Sequence, residues 1–576
     1  MPGSDKRSRW DCSGCAGGLW GRVESVDSPM TLTLRMRPLF ATRFLTLTVL
    51  AVVSAASLAQ TNAPGSQAPA APALPALSPA TGLTLLDVLK ASLEKNPQLK
   101  IQQYNIDIQA GVLKTAVGQF DWTIGATGTQ QRSYTPLTAA TVAAEGLPPG
   151  VETDTLIANN TAGNLTATKE FRNGITLTPS VQTTRTTDNF DYTNGVNEAQ
   201  VGLQIVLPLL RNSGKNTVDA QEISARQQLE ATRLDLSQLI SDTLATAATR
   251  YWTFVAADAT LAVYKASEAR GNELLNSTQT LVEADRLPAN ELNQARANLA
   301  SRTASRNAAE LSLLQARQQL VLVMGLGADK ILSLPAPAQD IPNAVSGLET
   351  SLVDGYIRLA STRRADVLAA RLRADANGVL EGAAHNQLKP QLDVSGSIGY
   401  TGLQEGTNIV DFPHSLAGSP RGPDFTIGVT YSQTPANNAA RGRLESATAL
   451  SRQSQVTLSE TARNAATNAV VAFEGVRSTL VQLQQARDAV RFYQAALNGE
   501  REKYRLGTNS LVDVLTIEDR LTSVVVTEVN ARLAYAIALV QLRQATGMIV
   551  PATQDVQQVD PGLFGKLPEV DPVTRP

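Results

Sequence analysis

The chain is built twice over. Moving 222 residues forward from Ala225, Leu261, Leu275, Leu299, Gln319, Leu320 and Gly325 lands on Ala447, Leu483, Leu497, Leu521, Gln541, Leu542 and Gly547, identical residues without a gap. Tyr251 likewise falls on Phe473, and Glu291 on Asp513. Such a tandem repeat requires one supersecondary unit to form twice and to pack against its own duplicate. Each copy holds a sharp turn between two long Ala-rich helical patterns. In the second, Tyr504-Arg505-Leu506-Gly507-Thr508-Asn509-Ser510 reads as a hairpin tip. Gly507 supplies a positive φ after the incoming helix, and Ser510 with Asp513 forms a capping box for the outgoing one.

Residues 215–284 and 437–506 are predicted to be long helices, on the order of 100 Å each at about 1.5 Å per residue. In the second, Leu458, Ala462, Ala465, Ala469, Ala472, Val476, Thr479, Leu483, Ala486, Val490, Tyr493 and Leu497 step by alternating four and three. That is a heptad seam with one polar exception, and its alanines let neighbouring helices approach closely. Shorter return helices, 289–324 and 510–546, end at Gly325 and Gly547. A composition of 43% hydrophobic but only 5% aromatic residues fits such thin helical layers better than thick globular cores.

Both copies also carry a helix before a strand and a strand before the long helix. Trp122, Ile124 and Ala126 alternate with polar or glycine residues, as do Val201, Leu203, Ile205 and Leu207 with one apolar exception, Val206. In the second copy Leu392, Val394, Ile398 and Tyr400 do so, followed by Phe425, Ile427, Val429 and Tyr431. A half-buried soluble sheet and an outer-membrane barrel both give this period. Topology separates them. Four strands cannot close a barrel whose smallest size is about eight, and a spanning sheet tolerates no open edge, so spanning strands require several chains to share one barrel. Leu203, Ile205, Ile427 and Val429 are then the lipid-facing candidates. Residues 165–184 read as a further hairpin around Asn173-Gly174, either in the wall or projecting from it. The polar stretches 131–160 and 402–422 are expected on the extracellular side.

Arg35, Arg37 and Arg43, the apolar run 44–53 and Ser57-Leu58-Ala59 read as a secretory signal, preceded by an over-extended start. Residues 1–59 carry seven Lys or Arg and four Asp or Glu; their removal takes the net charge from −2 to about −5. A mildly acidic chain without a basic stripe is unsuited to nucleic acid. Cys12 and Cys15 lie within the segment to be removed, and no second ligand pair follows them. The expected organisation is a signal segment (1–59), an Ala/Pro-rich leader (60–82), a first repeat (83–325), a connection (326–348), a second repeat (349–547) and a disordered tail (548–576).

This order of elements resembles the TolC family of outer-membrane efflux and secretion channels over roughly residues 83–548. The second tip matches best, in Tyr504, Gly507-Thr508 and Asp513; the first matches in residues 292–297, including Ala295-Arg296-Ala297. The resemblance implies a mainly α fold with a small transmembrane β-barrel part and two coiled-coil hairpin repeats. It further implies a homotrimer with a twelve-stranded barrel in outer-membrane lipid, a periplasmic helical tunnel, and a passive role beside a periplasmic adaptor and an inner-membrane transporter. Asp285, Arg286, Leu287, Arg505, Leu506, Gly507 and Thr508 correspond to tips that dock the adaptor. The gate corresponds to Asp513 at a carboxylate ring, Thr516 where a second aspartate is usual, and a latch of Tyr504 with Glu291. Asn509 stands where the family's latch arginine is usual, and Asp285 where glycine is.

No catalytic, cofactor or metal residues are assigned. His385 and His414, the two histidines, are neither spaced as metal ligands nor set beside a nucleophile motif. The competing reading is a periplasmic coiled-coil adaptor or structural rod, which explains the long helices but not amphipathic strands between them.

Overall fold

The duplication is visible in where the helices stop. The computed structural model describes residues 82–138, 140, 155–189, 192–342, 352–407, 414–506, 508–550 and 560–569. The signal segment, nearly all of the leader and Gly507 therefore lie outside the described residues. In chain order the elements are α1 (Leu85–Lys95), α2 (Pro97–Gly118), β1 (Thr123–Pro136), β2 (Thr155–Glu170), β3 (Thr176–Asp188) and β4 (Val196–Pro208). A single turn α3 (Lys215–Val218) precedes the hairpin α4 (Ala220–Glu283) and α5 (Ala289–Val323). The second repeat gives α6 (Val353–Arg363), α7 (Ala365–Asn386), β5 (Gln391–Glu405), β6 (Arg421–Ser432), α8 (Asn438–Arg505) and α9 (Leu511–Ala545). Both ends of α5 and the end of α4 map onto those of α9 and α8 at the same 222-residue offset. Gly325 and Gly547 follow the return helices at φ 64° and 69°, the left-handed close that lets the chain turn out of a helix.

Next to the sheet, four helices lie side by side in the order α2, α4, α7, α8. Further along, the hairpins α4/α5 and α8/α9 meet through α9 and α4, while α1 packs on α4 and α6 on α8. The heptad seam is buried as its spacing predicts: Ala465, Ala469, Ala472, Val476, Leu483 and Ala486 join Tyr356, Phe473 and Tyr535 in one core. The polar exception, Thr479, turns its hydroxyl back to Gly475 O at 2.8 Å, so the seam carries no unpaired donor there. The first repeat's core holds Tyr251, Trp252, Phe254 and Leu320, with Leu85 and Val88 of α1 over it. Each such large side chain contributes about 1.5–3 kcal/mol on burial.

Each repeat's core is closed by an extended segment that hydrogen-bonds a buried tyrosine. Tyr251 Oη donates to Leu83 O at 3.0 Å, and Leu83 itself pairs with the 336–338 stretch of the connection. Tyr356 Oη donates to Pro568 O at 3.0 Å, and Arg543 reaches Lys566 O at 3.1 Å and Leu567 O at 3.0 Å. Residues 560–569 are therefore ordered, with a short turn of helix at Pro561–Gly565 and Phe564 buried. This corrects the expectation of a disordered tail for those residues; the apolar residues Leu563, Phe564 and Leu567 give the segment something to bury.

The sheet has six antiparallel strands in the order β1 to β6, not four. The stretch around Asn173-Gly174 is the turn of an added hairpin, β2–β3, inserted between the first repeat's two other strands. Register lines up one apolar face across the central strands: Val201 opposite Tyr400, Leu203 opposite Ile398, Ile205 opposite Gly396, then Ile398 opposite Phe425 and Gly396 opposite Ile427. The opposite face is Gln200, Gly202, Gln204, Ser395, Ser397, Thr426 and Gly428. Ile205, Ile427 and Val429 are exposed, so nothing among the described residues covers the apolar side.

Candidate functional site

The two hairpin tips build the site. At the first, Arg286 N bonds Leu281 O at 2.9 Å and Asp285 N bonds Val282 O at 3.1 Å, a Schellman-type close. Asp285 occupies the left-handed position at φ 52°, which is why glycine is usual there and why a short polar residue can replace it. At the second, Thr508 N and Oγ1 both reach Lys503 O at 3.0 Å, fastening the turn on from Leu506. The capping box forms: Ser510 Oγ contacts Asp513 Oδ2 at 2.6 Å, and Asp513 N donates to Ser510 Oγ at 3.3 Å. Asp513 thus caps α9, and it remains exposed together with Thr516, whose hydroxyl bonds Val512 O at 2.8 Å.

Tyr504 and Glu291 come together across the hairpins. Burial first, and the Glu291 charge second, push the Tyr504 phenol above its usual value, while the Thr278 hydroxyl acts in the opposite sense. Among the described residues, Tyr504 Oη and Glu291 Oε2 are both buried and find no partner at hydrogen-bonding geometry. Tyr504 packs instead against Leu497, Val514 and Leu521. Asn509 does not cross between hairpins; its amide bonds Glu500 within its own.

The connection that does cross is one that sequence reading missed. Glu518 of α9, only 1% exposed, accepts from Arg270 Nε of α4 at 2.8 Å, Arg302 Nη2 of α5 at 3.3 Å and Arg501 Nη2 of α8 at 3.2 Å. One carboxylate therefore ties all four helices. Arg302, itself buried, also reaches Asp519 Oδ1 at 3.1 Å and Ser267 O at 2.9 Å. Burying a charge is costly unless it is paired and hydrogen-bonded, and here the carboxylate meets three guanidinium groups. The signal was present: Glu518 sits at a core position between Leu511, Val514, Leu515 and Leu521, where an acid needs a reason.

A sheet with one uncovered apolar face, set on paired coiled-coil hairpins, defines the class of outer-membrane channel tunnels. Residues 356–548, in the second repeat, match the family model described as outer membrane efflux protein. The chain is similar to outer membrane protein TolC of Vibrio cholerae, 26% identical over 369 residues that cover 63% of this chain and 79% of the relative. Its fold is similar to that of the outer-membrane channel OprN, at TM-score 0.59 and 17% identity over 80% of this chain and 89% of that one. It is similar also to the outer membrane protein VceC of Vibrio cholerae, at TM-score 0.57 and 17% identity over 80% and 96%.

Proposed function

We propose that the chain is the outer-membrane channel of an efflux or secretion assembly, giving passive passage from the periplasm to the exterior. The observation that carries this is the sheet: its apolar face is continuous in register, among the described residues that face is uncovered and the edges β1 and β6 are unpaired, and the sheet is continuous with helices on the order of 100 Å long. A periplasmic adaptor or rod has no use for such a face, so the channel reading is favoured. Copies of the chain assemble as a homotrimer in outer-membrane lipid. The tips, with Asp285, Arg286, Leu287, Leu506 and Thr508, meet a periplasmic adaptor that couples to an inner-membrane transporter.

In the closed state the Glu518 node holds the two hairpins of one chain together, with Tyr504 and Glu291 beside it. Asp513 and Thr516 line the narrowest point, one carboxylate per chain. What supports this is that both are exposed at the tip while the neighbouring Leu511, Val514 and Leu515 are buried. Outer-membrane fractionation with heat-modifiable migration tests the assignment. A protein recovered wholly in the soluble periplasmic fraction, with unaltered migration on heating, would refute it.

A further inference from the structure

The repeat identifies β2–β3 as an insertion. The second copy runs α7–β5–β6–α8, and the first runs α2–β1, then β2–β3, then β4–α4, so among the described residues the hairpin has no counterpart. Three features bear on where it lies. Leu165 and Ala167 of β2, with Pro179 and Val181 of β3, fall on the apolar face in register with Ala126, Leu203 and Val201. Asn164, Thr166, Ser180 and Gln182 fall on the polar one. The turn is fixed to the helical base: Arg172 Nε meets Glu222 Oε2 of α4 at 2.7 Å, and Gly174, at φ 92°, lies so close to Asn212 O that a Cβ would come within 2.3 Å of it. The Lys169 ammonium sits 5.5 Å from the Trp122 ring and 5.6 Å from that of Phe171, the aromatic and snorkelling arrangement of a membrane–water border. At 16 and 13 residues both strands exceed the roughly 9–11 that a tilted spanning strand needs.

We propose that the β2–β3 hairpin spans the outer membrane, so that three copies close an eighteen-stranded barrel, β6 of one copy pairing with β1 of the next. The inference rests on the channel reading above. Barrel diameter grows roughly linearly with strand number, which makes this opening about half again as wide as a twelve-stranded one and brings it to porin size. The geometry also fits the helices beneath. Six strands about 4.8 Å apart and tilted about 40° occupy roughly 38 Å of wall per chain, and four helices about 9–10 Å apart occupy roughly 36–40 Å.

Single cysteines test this, since the chain has none after Cys15. Leu165→Cys and Val181→Cys on the outer face, Asn164→Cys and Gln182→Cys on the inner, are assembled in lipid nanodiscs and exposed to a water-soluble maleimide. Ile205→Cys and Gln204→Cys on β4 serve as references. The outer-face cysteines are expected to react at least tenfold more slowly than the inner-face ones, and detergent-free native mass spectrometry to give three copies. If Leu165→Cys and Val181→Cys react as fast as Asn164→Cys while Ile205→Cys stays protected, the hairpin lies outside the membrane and the proposal is overturned. A two-copy particle, which closes twelve strands, overturns it as well. Rapid labelling of Ile205→Cys would instead bring down the channel reading itself.

Discussion

Glu518 is the side chain on which the tip depends most. Removing one partner of a buried ionic cluster leaves the others uncompensated, at about 3–5 kcal/mol. Glu518→Gln is therefore expected to lower thermal stability by that order and to raise single-channel conductance, as Arg270 and Arg302 lose their hold on α9. Tyr504→Phe should change both far less: among the described residues its buried hydroxyl meets no partner at good hydrogen-bonding geometry, the nearby Thr278 included, so little is lost with it. A conductance increase in Tyr504→Phe that matches Glu518→Gln would return the latch to Tyr504 and Glu291. Asp513 has two roles that one substitution separates. Asp513→Asn removes the negative charge that favours the α9 N-terminus, at about 0.3–1 kcal/mol, and if three such carboxylates ring the axis it also lowers cation preference in planar bilayers. Sequence alone made the cap legible, because Ser510 and Asp513 are three apart. It did not reveal the Glu518 node, whose four helices are brought together only by the packing of one repeat on the other.

At the scale of elements, the helices were the most legible part. A heptad sustained over forty residues has no competing interpretation, and α4, α5, α8 and α9 end within a few residues of the limits their tips and glycines set. Strand number was harder. β2 carries Asn159, Asn160, Thr161, Gly163 and Asn164 between its few apolar residues, so period two is faint until β1 and β3 supply the register. The packing of α1 on α4 makes a prediction about alkaline conditions. Burial pushes the Tyr251 phenol up to about 12. A tyrosine held neutral in the folded state contributes stability that is complete below about pH 10, where the unfolded side chain is neutral too. That stability is lost as pH rises through the folded value, by roughly 2–3 kcal/mol at about 1.4 kcal/mol per pKa unit. Tyr251→Phe should be less stable at neutral pH, for want of the bond to Leu83 O, yet show a shallower loss between pH 10 and 12 in thermal melts.

For the whole molecule, the contrast between the two faces of the sheet is the controlling property. Ile427→Arg or Val429→Arg places a charge on the uncovered apolar side and should cost about 2–4 kcal/mol near the bilayer midplane. Thr426→Arg, one residue away on the polar side, should be far better tolerated. Recovery of heat-modifiable oligomer from outer membranes checks both, and equal recovery of Ile427→Arg and Thr426→Arg would mean that the apolar face meets no lipid. The segment 560–569 has a consequence of a different kind, in time. The second repeat's core, with Tyr356, is covered only when Leu567 and Pro568 are in place, and Phe564 joins the first repeat's core beside Ile549 and Val550, so the segment is synthesised after everything it closes. The first repeat's core takes Ala536 and Val540 of α9 as well, so Leu83 and the connection cover it without completing it. Both must wait, exposed, for residues 560–569 to arrive, so a shortened product lacking them would be half finished and open to proteolysis.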